Sequence, residues 1–147
     1  DVLVYTSSVL KESLAIAGPV KMKLWAATDG PDTDWMGKLV DVYTNGYSMN
    51  IAEGILRARY RKGLDKPELL KANEAYEFEV DLVGTANVFK PGHRIRVDIT
   101  SSNFPQFDRN LNTGENAGST KMRVAQNTVF HSGDRASAII LPVVPLP

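Results

Sequence analysis

Residues 76–82 read Tyr-Glu-Phe-Glu-Val-Asp-Leu. Tyr76, Phe78, Val80 and Leu82 fall on one parity and Glu77, Glu79 and Asp81 on the other. In an extended chain successive side chains point to opposite faces, so this spacing gives a strand one apolar and one charged face. Residues 94–100 repeat the pattern, with Ile95, Val97 and Ile99 set against Arg94, Arg96 and Asp98. Upstream, residues 20–25 predict a third strand with Val20, Met22 and Leu24 inward, Lys21 and Lys23 in water, and Gly18-Pro19 marking its start. The opening Asp1-Val2-Leu3-Val4-Tyr5 reads as a strand already under way. Weaker strand patterns cover residues 38–43, 51–60, 128–131 and 138–143, and single helical turns are expected at 8–13 and 67–72.

Turn residues separate these runs: Asn45-Gly46, Lys90-Pro91-Gly92 and Ser132-Gly133-Asp134. Asn45-Gly46 between two strand-like runs predicts a hairpin. Many short strands without alternating helices imply an all-β sandwich or barrel. The chain has 147 residues, 43% of them hydrophobic. One soluble globular domain over residues 1–147 is expected, and a chain of this size buries roughly 70% of its unfolded surface without needing disulfides or metal. Seventeen basic residues balance seventeen acidic ones, which argues against nucleic-acid or anionic-membrane partners. No run reaches the roughly 20 apolar residues of a membrane span. Without cysteine there is no thiolate nucleophile, Cys-ligated zinc or iron–sulfur cluster, and no pattern implies a cofactor.

The residues that could carry chemistry are few. Gly46-Tyr47-Ser48-Met49-Asn50 is the nearest approach to a nucleophile elbow, yet it lacks the final glycine and follows a hairpin turn instead of a strand entering a helix. His93 and His131 stand at strand ends with no metal ligand or nucleophile beside them in sequence. No catalytic residue is assigned. Asp29, Asp32 and Asp34 form a loop of closely spaced carboxylates that could ligate calcium, but the EF-hand pattern is absent and turn hydrogen bonding is the preferred role. Arg57, Arg59 and Arg61, with Lys62 alongside, are expected on one solvated strand face. Trp25 and Trp35 suit either core packing or a sugar-stacking platform. Residues 101–120 are rich in Asn, Ser, Gly and Thr and too long for an ordinary connection. Phe104, Phe107 and Leu111 are expected to pin this loop to the body.

Several segments occur together in a recognisable order: D-V-L-V-Y-T-S (1–7), G-P-V (18–20), D-T-D-W (32–35), K-L-V-D-V (38–42), G-I-L-R-A-R-Y-R (54–61), G-H-R-I-R-V-D-I-T-S-S-N-F-P (92–105) and F-D-R-N-L-N-T-G (107–114). With them the chain resembles the C-terminal non-catalytic domain of the X-Pro dipeptidyl-peptidase and cocaine esterase-like (CocE/NonD) hydrolases. The resemblance implies a jelly-roll β-sandwich similar to galactose-binding modules, and a Ser-His-Asp triad carried by a separate α/β-hydrolase domain upstream. It implies a parent activity on ester or amide bonds, and a chain short of one or more opening strands, whose unpaired edge favours self-association. It also suggests that Asp34, Trp35, Phe104, Phe107, Asp108, Arg109 and Asn110 meet the α/β-hydrolase domain of the parent chain. The alternative is an independent carbohydrate-binding module using Trp25 or Trp35.

Overall fold

The computed structural model describes residues 1–115 and 118–146. Among them the strands are β1 (Leu3–Thr6), β2 (Leu14–Thr28), β3 (Asp34–Val42), β4 (Ser48–Arg57), β5 (Tyr76–Phe89), β6 (Arg94–Thr100), β7 (Asn127–Phe130), β8 (Ala138–Ile140) and β9 (Val143–Val144). β2 and β5 form the long antiparallel pair, with Leu24 opposite Phe78 and Met22 opposite Val80. Their alternation is realised as the period of two predicts. Val20, Met22, Leu24, Phe78, Val80 and Leu82 are buried, while Glu77, Glu79 and Asp81 face solvent. Across that outer face Lys21 meets Glu79 at 2.6 Å and Lys23 meets Glu77 at 2.8 Å, exposed pairs that stabilise the fold only slightly.

One sheet runs β1-β6-β3-β4 and the other β5-β2-β7. Because β5 occupies one edge of β2 along nearly its whole length, β9, β8 and β7 take successive stretches of the other. The inner faces of the two sheets meet in one core that joins β2 and β5 to Trp35, Leu39, Ala52 and Ile99. The chain is a β-sandwich of two antiparallel sheets. β3 lies between β6 and β4 and is buried on both faces, from Asp34 through Gly37 and again at Leu39, Val40 and Asp41. A strand covered on both sides need not alternate, which is why this one is faint in sequence.

The Asn45-Gly46 turn joins β3 to β4. Tyr43 N–H donates to the Tyr47 carbonyl at 2.8 Å and Gly46 N–H to the Tyr43 carbonyl at 2.9 Å. Gly46 sits at φ +85°, the left-handed conformation that closes such a loop. β4 ends at Arg57, and Ala58–Tyr60 forms a 3₁₀ turn, so the strand expected to run to residue 60 is shorter. The single helical turns expected at 8–13 and 67–72 are absent. Their backbone groups bond elsewhere: Leu10 N–H to the His93 carbonyl, Glu68 N–H to Arg59 and Leu70 N–H to Pro31.

Two backbone features shape the flank where β4 meets β5. A Cβ on Gly54 would collide with the Asp81 carbonyl oxygen, so only glycine allows the two backbones to approach this closely. One residue beyond Leu82, at the register shift opposite Pro19 and Lys21, Val83 adopts φ +62°. That conformation costs a β-branched residue about 1–2 kcal/mol.

Candidate docking site

Asp32 precedes β3 and Asp34 opens it, while Arg57 ends β4 and Arg59 lies in the 3₁₀ turn that follows. The hairpin sets Asp34 directly opposite Arg57, and two residues further out Asp32 meets Arg59. Arg57 donates from Nε to Asp34 Oδ1 at 2.9 Å and from Nη2 to Oδ2 at 3.2 Å, a two-point contact that fixes direction as well as distance. The hydrogen bond to Asp34 raises the Arg57 pKa against the opposing effect of burial. Arg59 Nε donates to Asp32 Oδ2 at 2.7 Å, and its backbone N–H to Oδ1 at 3.0 Å. The Asp32 and Asp34 side chains are 0% and 3% exposed. Carboxylates so buried persist only when nearly every lone pair is bonded.

Asn110 completes the group. Its side-chain amide donates to Asp32 Oδ2 at 2.9 Å and to Asp34 Oδ1 at 2.8 Å, while its Oδ1 accepts from Asn112 N–H at 2.9 Å. Arg57 and Arg59 also reach the loop backbone, donating to the carbonyls of Asp108 at 3.4 Å and Glu115 at 3.2 Å. The long connection from β6 to β7 is therefore held by buried polar bonds. The expectation that Phe104 and Phe107 pin it is corrected: they are 64% and 41% exposed. Polar anchors take that role because two buried carboxylates must be satisfied, and the loop amide satisfies both. Beside the anchors lies an open cleft of about 320 Å³ bordered by Arg57, Arg59, Phe104, Asp108, Arg109 and Asn110. Asp108 and Arg109 are exposed, and the Arg109 guanidinium sits 5.8 Å from the Phe104 ring.

Three further expectations change. Trp35 is 2% exposed and packs against Phe78 at 5.8 Å between centroids, so it belongs to the core and can neither touch another domain nor stack on a sugar. The arginines do not form a solvated strand stripe. Arg57 closes β4, Arg59 lies in the 3₁₀ turn, and Arg61 follows it and pairs with Glu68 at 2.6 Å. Asp29, Asp32 and Asp34 are each taken by a guanidinium, with Asp29 bound to Arg123 at 2.9 Å. Among the described residues no group of three or more His, Asp or Glu is placed to hold a metal ion.

The histidines have structural partners. His93 Nδ1 lies 2.8 Å from Asp41 Oδ1 and its ring stacks on Tyr43. His131 meets the edge of Tyr5. Asp41 and His93 resemble the acid and base of a triad, but the Ser48 hydroxyl is engaged with the Gly46 carbonyl and Arg96. The Asp41–His93 pair orders the end of β3.

Comparison with known proteins now decides the family. The family described as the X-Pro dipeptidyl-peptidase C-terminal non-catalytic domain matches residues 1–140. The chain belongs to this family. It is 41% identical over 147 residues to a cocaine esterase of Rhodococcus sp. (strain MB1 Bresler), covering 98% of this chain and 26% of that one. Among solved structures, an aminopeptidase from a marine sediment Thaumarchaeota archaeon superposes with a TM-score of 0.93 at 32% identity, covering 99% of this chain and 26% of the other. An α-amino acid ester hydrolase superposes at 0.90 with 36% identity, covering 98% and 26%. The chain thus spans about a quarter of the length of these hydrolases and corresponds to their non-catalytic C-terminal domain.

This chain carries an Asp–Arg–Asn latch that its sequence alone did not reveal. A signal was present: Asp32 and Asp34 on one side of the Asn45-Gly46 turn, and Arg57 and Arg59 on the other, share a spacing of two and fold onto each other in a hairpin. Nothing local in the sequence pointed to Asn110.

Proposed function

We propose that this domain docks on the α/β-hydrolase domain of a longer serine hydrolase and stabilises it, contributing no catalytic group itself. The observation that carries this reading is the buried latch beneath an exposed loop. Asn110 holds Asp32 and Asp34 from inside, while Phe104, Phe107, Asp108 and Arg109 project outward. Exposed aromatic side chains with polar neighbours, on a loop kept rigid by buried bonds, have the composition of a protein contact surface. A loop already ordered loses little entropy when it docks. The relatives' names, an esterase, an ester hydrolase and an aminopeptidase, support cleavage of an ester or amide bond as the parent reaction.

The test is complementation. The hydrolase portion is expressed alone, this chain is added, and turnover of a short-chain ester is followed together with thermal stability. Both are expected to rise. With both partners shown to be folded, no change in either would contradict docking.

A further inference from the structure

A second groove runs along β4, about 510 Å³ in volume, bordered by Ile51 and Ile55 of β4, Asp81 and Val83 of β5, and Gln106 and Phe107 of the docking loop. Val83 is the unusual member. The extra residue of a bulge, when left-handed, is ordinarily glycine, and Gly84 stands one position later. Yet a β-branched residue occupies φ +62°, held by a 2.8 Å bond from its N–H to Asp81 Oδ1. Its side chain is 59% exposed. The preceding Leu82, by contrast, is fully buried. Packing within the domain offers Val83 little return for the strain, and an uncompensated outlier points to a use outside the fold.

We infer that Val83 and Phe107 form a seat for an apolar side chain of the hydrolase domain. The inference rests on the docking reading and extends it to a second, contiguous surface, since Phe107 belongs to both. The relatives devote about three quarters of their length to chain outside the matched region, which supplies the occupant. Of the two acidic residues on the groove, Glu53 already pairs with Lys38 at 3.3 Å and Asp81 accepts the Val83 N–H, so the seat is expected to select its occupant by apolar contact.

Val83→Asn and Val83→Gly test this, because both residues tolerate the left-handed conformation and both remove the apolar side chain. In the isolated chain the thermal midpoint is expected to stay level or rise by about 2–4 °C. In a full-length hydrolase carrying this domain, the apparent midpoint at fixed scan rate is expected to fall by a similar amount, as it should for Phe104→Ala. A drop in the isolated chain would overturn the inference, showing that Val83 supports the domain's own fold. If Phe104→Ala lowers the full-length midpoint and the Val83 variants do not, the groove is not a seat and docking through the loop survives. If none of these variants affects the full-length protein, docking and seat fall together.

Discussion

Asn110 joins two buried carboxylates to an exposed loop, and its removal separates latch from fold. Asn110→Ala deletes two hydrogen bonds to charged acceptors, and a loss of about 1.5–3 kcal/mol is expected in urea unfolding. Asp32→Ala should cost more, about 3–5 kcal/mol, because it strands Arg59, whose side chain is only 13% exposed. Glu53 introduces a pH dependence. Burial alone would raise its pKa, but bonds from Asn50, Lys38 and Asn103 outweigh that and hold it below the ordinary 4.5. The unfolded chain therefore takes up this proton first as pH falls. The contribution of Glu53 is complete above pH 4.5 and is lost as pH drops through the lower folded value. Glu53→Gln should flatten unfolding free energy against pH in that window while leaving its slope near neutrality unchanged. At this scale the sequence was only partly legible. The aspartates and arginines stood out as charged residues, but a charge pattern does not say whether its partner is water, a metal or another side chain. Trp35 illustrates the same ambiguity for an aromatic ring, since core and platform use the same surface.

β2 and β5 displayed their period because water on one side demands polar residues there, whereas β3 hid its period by being covered on both. β6 alternated although its polar face is half-buried, with Arg96 and Asp98 pairing with each other at 2.8 Å. The hairpin between β3 and β4 was legible because Asn45-Gly46 meets a specific backbone requirement. The segments at 8–13 and 67–72 misled because local propensity says nothing of the long-range backbone bonds that claim their donors. Close approach of β4 to β5 was likewise invisible beforehand, and Gly54→Ala tests it. The added methyl meets the Asp81 carbonyl oxygen, and a loss of about 3 kcal/mol in chemical denaturation is expected. For the long loop after β6 little change is expected. Phe104→Ala should change the stability of the isolated chain by no more than about 0.5 kcal/mol, because the ring is largely in solvent.

At the scale of the whole molecule β1 is an edge strand: it pairs with β6 on one side and, among the described residues, with no strand on the other. Residues 2–10 carry no charge, and Val2, Leu3, Val4 and Tyr5 are 38–56% exposed, so the usual protections of an edge strand are missing. The isolated chain is expected to associate through this edge, with light scattering showing a mass that grows with concentration and Val4→Lys returning it to the monomer. A monomeric mass throughout would count against this. The chain spans about a quarter of the length of the relatives it matches, and the long connection from β6 to β7 presents Phe104 and Phe107 to solvent. Hydrogen–deuterium exchange compared between the isolated chain and a full-length hydrolase carrying it reads that surface most directly. Residues 102–115 and the groove at 51–55 and 81–83 are expected to gain protection in the full-length protein. Unchanged exchange there, with protection gained on another face or nowhere, would contradict docking through this loop.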